Sequence, residues 1–201
     1  MRQRNFHFVI TGGSCSGKTS SLPILKKRLT AEGYTVIVSP ETGTDVYISG
    51  LTPDNLPWEV FQSIIVERTL IKEKTIRKAL EYIRKPTVVL YDRGIFDNKV
   101  YLGNNEKFNE ILGGFGVSEE ELMRRYDAVF HMKTTAAQND YTTENNEARF
   151  ENAETALIYD EKVLQEWSAH HYLKIIGNFP AFEDKLDKLY QEIMFFISQT
   201  N

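Results

Sequence analysis

The sequence predicts an α/β fold, a mainly parallel sheet of five strands flanked by helices and carrying a lid segment, and three observations carry that prediction. Short apolar runs alternate along the chain with longer stretches of helical spacing. One such run, Phe8-Val9-Ile10, hands over directly to Gly12-Gly13-Ser14-Cys15-Ser16-Gly17-Lys18-Thr19, which matches G-x-x-x-x-G-K-[ST] in full. A second run, Thr87-Val88-Val89-Leu90-Tyr91-Asp92, is nearly continuous in apolar residues and ends in a carboxylate, as a central parallel strand buried on both faces would.

The elements follow in order. After the first strand and the glycine-rich loop, Leu22, Ile24, Leu25 and Leu29 make the apolar stripe of a helix that Gly33 can end. Tyr34 to Val38 reads as the second strand, followed at Ser39-Pro40-Glu41-Thr42 by a polar loop with Gly43, Gly50 and Pro53. A long helix runs from about Pro57 to Arg84, with Phe61, Ile64, Ile65, Ile71, Ile76, Ala79, Leu80 and Ile83 largely at helical spacing, and Pro86 stops it. Ala128 to Met132 is the fourth strand and Tyr172 to Ile176 the fifth. Between them lie a polar stretch and a helix from about Asn146 to His170. An amphipathic helix carrying Leu186, Leu189, Tyr190, Ile193, Phe196 and Ile197 closes the chain.

The loop's spelling has a chemical reason. Its glycines let successive backbone N–H groups turn inward around phosphate oxygens, Lys18 reaches the outer phosphates of a triphosphate, and the Thr19 hydroxyl is a Mg²⁺ ligand. The stretch Gly12, Gly13, Ser14, Cys15, Ser16, Gly17, Lys18, Thr19 and Ser20 is therefore the expected nucleotide-binding segment of a P-loop NTPase. Asp92 would lie beside it if its strand neighbours the first, and would then help hold Mg²⁺, directly or through water. Arg93 follows at once, where a guanidinium can grip a phosphate or substrate oxygen with two hydrogen bonds, or else form a surface salt bridge.

At 201 residues, 1–201 reads as one domain with enough apolar content for a core. The 24 basic and 28 acidic residues give a net charge of −4 with no concentrated basic patch, which argues against a non-specific nucleic-acid binder. Lys26-Lys27-Arg28 is the densest basic run, too little for a membrane-surface regulator. A single cysteine excludes an internal disulfide framework, and Cys15 reads as a small filler of the loop. Met1 to Asn5 is polar and Phe6 to Ile10 too short to cross a bilayer, so a cytoplasmic protein without integral membrane association is expected. Asn98-Lys99-Val100-Tyr101 begins like the guanine-reading N-K-x-D but lacks its acid. ATP is the expected nucleotide, with GTP not excluded. The four histidines show no zinc spacing.

Gly12 to Thr19, Pro40-Glu41, Phe61-Gln62, Asp92-Arg93-Gly94, Tyr126-Asp127-Ala128-Val129, Arg149-Phe150-Glu151 and Trp167 to His170 occur in an order that resembles the NadR/Ttd-type AAA-like P-loop domains. That group includes the ribosylnicotinamide kinase domain of NadR and the TRPL translocation defect proteins. The resemblance to the kinases implies Mg-ATP as donor and a small hydroxyl acceptor, nucleoside- or nucleotide-like. The resemblance to the translocation-defect proteins implies nucleotide and phosphoinositide binding instead, in a nucleotide-dependent switch with a protein or lipid partner.

Within the kinase reading, Glu41 stands at a strand's carboxyl end, where an acid contacts or deprotonates the acceptor hydroxyl in similar nucleoside kinases; its plainer role is to cap the following turn. Gln62 resembles a glutamine that reads substrate in deoxynucleoside kinases, or it faces water. Arg68 falls at i+3 from Ile65 and i−3 from Ile71, so burial would oblige it to find an anionic partner, a substrate phosphate or a structural carboxylate. Residues 133–150 have little apolar periodicity and read as a lid able to close over phosphates. Arg149 in this segment matches the family's lid arginine, where it could stabilise charge on the transferring phosphoryl group, or it forms a local ion pair.

Overall fold

A computed structural model describes residues 4–135 and 153–200. Its elements are β1 (Asn5–Thr11), α1 (Lys18–Ala31), β2 (Thr35–Ser39), α2 (Thr42–Ile48), α3 (Trp58–Leu80), β3 (Thr87–Asp92) and α4 (Ile95–Leu102). After these come α5 (Asn105–Gly114), α6 (Glu119–Met123), β4 (Ala128–Met132), α7 (Ala153–Trp167), β5 (Leu173–Ile176) and α8 (Phe182–Gln199). All five strands are parallel, in the order β2-β3-β1-β4-β5. The sheet is thus parallel throughout.

Strand alternation divides the apolar side chains between two layers, because successive residues point to opposite faces. Phe6, Phe8 and Ile10 of β1, Val88 and Leu90 of β3, and Phe130 and Met132 of β4 pack under α1 and α8 with Leu25, Leu29, Leu189 and Ile193. Val9, Val89, Tyr91 and Val129 face the other way, onto Val66 and Leu70 of α3, Phe96 of α4 and Trp167 of α7. Each β3 residue is buried, as its continuous apolar run requires.

Three departures from the sequence reading have physical causes. Thr42–Ile48, expected as loop, is helical around the buried Val46, which joins Phe61 and Ile65 in a small separate cluster. The long helix ends at Leu80, where the N–H groups of Glu81 and Tyr82 close it by tighter bonds to the carbonyls of Lys78 and Ala79 and Tyr82 is 73% exposed, and Pro86 disfavours helix at the residue before it. Between β3 and β4 stand α4, α5 and α6, each too short to show a helical period in the sequence. The helix expected from Asn146 is described from Ala153 onward; residues 146–152 lie outside the described residues.

The turn from β3 into α4 depends on a close approach. A Cβ on Gly94 would lie 2.5 Å from Cζ2 of Trp167 and 3.1 Å from Cγ1 of Val9. Trp167 is wholly buried and its indole N–H is hydrogen-bonded, so the ring cannot retreat. Gly94→Ala should therefore cost about 1 to 3 kcal/mol or more in urea unfolding; an unchanged midpoint would show that this turn can yield.

Candidate functional site

The glycine-rich loop bridges β1 and α1 at the carboxyl end of the sheet, flanked on both sides by strands, where open α/β sheets bind ligands. Gly12 has φ of 131°, and a Cβ there would lie 2.0 Å from the Met132 carbonyl oxygen, so only glycine lets β4 pass this close. Lys18 is buried at the start of α1. It donates to the carbonyls of Gly12 and Gly13 at 2.7 Å each and to the Ser16 hydroxyl at 3.0 Å. Burial pushes its ammonium down to about 8, helped by the neighbouring Arg93 and opposed by Asp92, Glu41 and Asp97.

Other elements pin the loop. The Gly13 N–H donates to Asp160 Oδ1 of α7 at 2.7 Å, and the hydroxyls of Thr134 and Thr135, just past β4, donate to the carbonyls of Ser14 and Cys15 at 2.5 and 2.8 Å. Cys15 itself takes a left-handed φ of 57°. Burial works against Asp160's ionisation, but His131, the Gly13 amide and Lys133 outweigh it and hold the carboxyl at about 2.

Pairing of β1 with β3 sets Ile10 opposite Asp92, and the Thr19 hydroxyl donates to Asp92 Oδ2 at 2.8 Å. Asp92 is 3% exposed, and among the described residues its Oδ1 has no hydrogen-bond partner. Burial and the charge of Glu41 raise its carboxyl to about 6, against the pull of Lys18, Thr19 and Arg93. Glu41 follows β2 and precedes α2. Its Oε1 accepts from Arg93 Nε at 2.6 Å and its Oε2 from the Thr44 hydroxyl at 3.2 Å. Burial opposes its ionisation too, yet Arg93 and Lys18 prevail and hold it below the usual carboxylate range.

Arg93 bridges the two halves of the site. Besides Glu41 it donates from Nη1 to the Gly12 carbonyl at 3.2 Å, with Asp97 Oδ1 3.7 Å away, and its guanidinium lies 5.2 Å from the Tyr101 ring centre. Its backbone has φ of 68°, a left-handed conformation costing about 1 to 2 kcal/mol for a residue with a Cβ. The Arg93 N–H to the Ile10 carbonyl at 3.1 Å helps hold it there.

A cavity of about 130 Å³, roughly tenfold what one water needs, opens from Lys18, Thr19 and Asp92 past Glu41 and Arg93. Its far wall is Tyr47, Trp58, Phe61, Gln62 and Tyr101, with Thr69 and Asn98. The Trp58 indole donates to the Tyr101 carbonyl at 3.1 Å, joining α3 to α4 across the mouth. Gln62 lines this cavity and is 5% exposed, so its side chain is turned into the cleft and away from the outer surface of α3.

The predicted residues Lys18, Thr19, Glu41, Gln62, Asp92 and Arg93 thus converge on one cavity, and Ser20 lies exposed on α1 outside its lining. Arg68 does not join them. The buried stripe of α3 runs through Phe61, Gln62, Ile65, Val66, Thr69, Leu70 and Glu73, which turns Arg68 out to solvent and removes any need for an anionic partner. Arg149 and 136–150 of the expected lid lie outside the described residues. Sequence reasoning passed over Asp97, Asp160 and the aromatic wall. Asp97 had a signal, an acid three residues after the glycine that opens a helix; Asp160, inside α7, had none. Asn98 and Lys99 are taken up structurally, by Thr69 and by Glu119 and Glu166, consistent with the broken guanine motif.

The donor set fits Mg²⁺ shared with phosphate oxygens. A hydroxyl and a carboxylate with one unpartnered, buried oxygen stand together, and among the described residues no cluster of three His, Cys, Asp or Glu could hold a metal alone. Sheet order, glycine-rich loop and this pair define a P-loop, NTPase-like nucleotide-binding domain. The chain belongs to the AAA domain family (AAA_28), whose pattern it matches over residues 7–185. No curated protein matches it in sequence. No helix among the described residues is long and apolar enough to cross a membrane.

Asp92 generates a signed pH dependence. With a folded pKa near 6 above an unfolded value near 4, the folded protein holds a proton that the unfolded chain releases. Asp92's contribution to stability therefore falls as pH rises through that window. Asp92→Asn should be more stable than the parent in unfolding at about pH 8, with the difference vanishing towards about pH 4; a variant less stable at the higher pH would contradict the assignment.

Proposed function

We propose that this protein is a Mg-ATP-dependent small-molecule kinase that transfers the γ-phosphoryl group to a hydroxyl of an unphosphorylated, ring-bearing, nucleoside-like acceptor. The observation that carries the reading is the cavity's continuity: the phosphate loop opens without a break onto an aromatic wall that also holds the Gln62 side chain. Trp58, Phe61 and Tyr101 suit a planar ring, and Gln62 can both donate to and accept from its edge.

Charge narrows the acceptor. Among the described residues the cavity lining contains two cations, Lys18 and Arg93. Lys18 is committed to the loop and the triphosphate, while Arg93 is engaged by Glu41 at 2.6 Å. A phosphorylated acceptor would add about 1.5 to 2 negative charges with no free partner in this lining, so a nucleoside fits better than a nucleotide.

The roles follow from what phosphoryl transfer demands, which is positioning and charge neutralisation. Lys18 and the loop amides hold the triphosphate. Thr19 and Asp92 would hold Mg²⁺, which when bound neutralises charge on the phosphates. Glu41, kept ionised by Arg93, accepts the acceptor's hydroxyl proton on the oxygen that it shares with Thr44. Arg149 is the lid-side cation of this reading. The protein works on small molecules, without a nucleic-acid partner.

A panel of nucleosides, ribosylnicotinamide and the matching monophosphates, added to protein with Mg-ATP while ADP is followed, tests this reading. A nucleoside should stimulate release, its monophosphate should not, and Glu41→Gln should spare nucleotide affinity while lowering stimulated turnover by about 10² or more. Stimulation by monophosphates alone would overturn the acceptor assignment. Release indifferent to every acceptor, with nucleotide altering affinity for a protein or for phosphoinositide vesicles, would overturn the kinase reading in favour of a switch.

A further inference from the structure

Asp97 is the most completely buried charged group near the site, with no exposed surface and no place in the cavity lining. Its carboxylate is nevertheless fully engaged. Oδ1 accepts from the Thr11 hydroxyl at 2.5 Å and lies 3.7 Å from Arg93 Nη1, while Oδ2 accepts from the Gly94 N–H at 3.1 Å and the Trp167 indole N–H at 2.8 Å. These four partners are the residue before the phosphate loop, the arginine and glycine of the β3–α4 turn, and the last residue of α7.

We infer that Asp97 is a positioning residue: it fixes the Arg93 guanidinium against Glu41 and ties that pair to the entrance of the phosphate loop, so that both parts of the site move as one body. Three features support it. Arg93 sits in a left-handed conformation that its own sequence does not favour, and the Gly94 N–H bond to Asp97 closes the turn immediately after it. A carboxylate taken wholly out of water is costly unless its partners compensate, and the nearest charge that can do so is Arg93. α7 then meets the loop at both sides of Gly12, through Trp167, Asp97 and Thr11 on one side and through Asp160 and the Gly13 N–H on the other. The catalytic consequence rests on the kinase reading above; the geometric claim does not.

The direct observable is the Arg93 Nε–H, which donates to Glu41 and is assigned in a ¹⁵N-labelled protein by its loss in Arg93→Lys. In Asp97→Asn its exchange with solvent should accelerate by about tenfold or more, while the β1 amides, which report global opening, change far less. An unchanged rate, or acceleration only in proportion to the β1 amides, would reduce Asp97 to a structural residue and overturn the inference. If Asp97→Asn does not fold, Trp167→Phe removes one donor and keeps the carboxylate. A rise of about threefold in the same exchange is then expected, and no rise overturns the inference.

With an acceptor that supports turnover, Asp97→Asn and Arg93→Lys should each lower kcat, and the double variant should be no worse than the poorer single one; independent, additive losses would contradict a role through Arg93. A parent protein without transfer activity would sink the kinase reading and leave the exchange measurement to decide on Asp97.

Discussion

The parallel pairing of β1 with β3 is the constraint on which the site depends. By setting Ile10 opposite Asp92 it delivers two loops of opposite character to one point, the phosphate loop after β1 and the Asp-Arg-Gly turn after β3. The Thr19 to Asp92 contact at 2.8 Å, the Arg93 bond to the Gly12 carbonyl and the Thr11 bond to Asp97 all cross this seam. Shifting the register by one residue would turn Asp92 to the other face and replace it with Tyr91, so sheet packing and chemistry are fixed together.

Charge in the cleft is balanced at short range. Lys18 and Arg93 face Glu41 and Asp92, and the two carboxyls respond in opposite directions: Glu41, bonded to Arg93, is held down, whereas Asp92, buried and beside the Glu41 charge, is pushed up to about 6. Such separation suits acids of similar chemistry to different tasks. In the proposed reaction Glu41 stays an anion beside the acceptor, and Asp92 is the group whose charge would be stabilised when a cation joins Thr19. The arrangement also accounts for the strained Arg93 backbone, since that turn aims one guanidinium at Glu41, Gly12 and Asp97 together.

Much of this was written locally in the chain. The loop, β1 and β3 are contiguous motifs, and Glu41 and Arg93 follow strands that apolar runs announce; the backbone then supplies their convergence. Arg68 misled because Ile71, taken as part of the buried stripe, is 54% exposed, and the true stripe passes through Gln62, Thr69 and Glu73, polar residues that a hydrophobic pattern does not mark. The cavity wall was invisible for a different reason. Trp58 and Tyr101 lie 43 positions apart in sequence, on different helices, and meet only through tertiary packing. Asp160 likewise meets the loop across 147 positions, a bond that no local spacing encodes.

The central claim is that phosphoryl transfer goes to a hydroxyl bound against the Trp58, Phe61 and Tyr101 wall and not to water. Running the reaction with Mg-ATP and a stimulating nucleoside in ¹⁸O-water, and reading the products by ³¹P NMR, tests it most directly. The account predicts that the γ-phosphoryl group appears as a nucleoside phosphate ester, with little ¹⁸O-labelled inorganic phosphate. Labelled inorganic phosphate as the main product, at a rate unaffected by any acceptor, would contradict it.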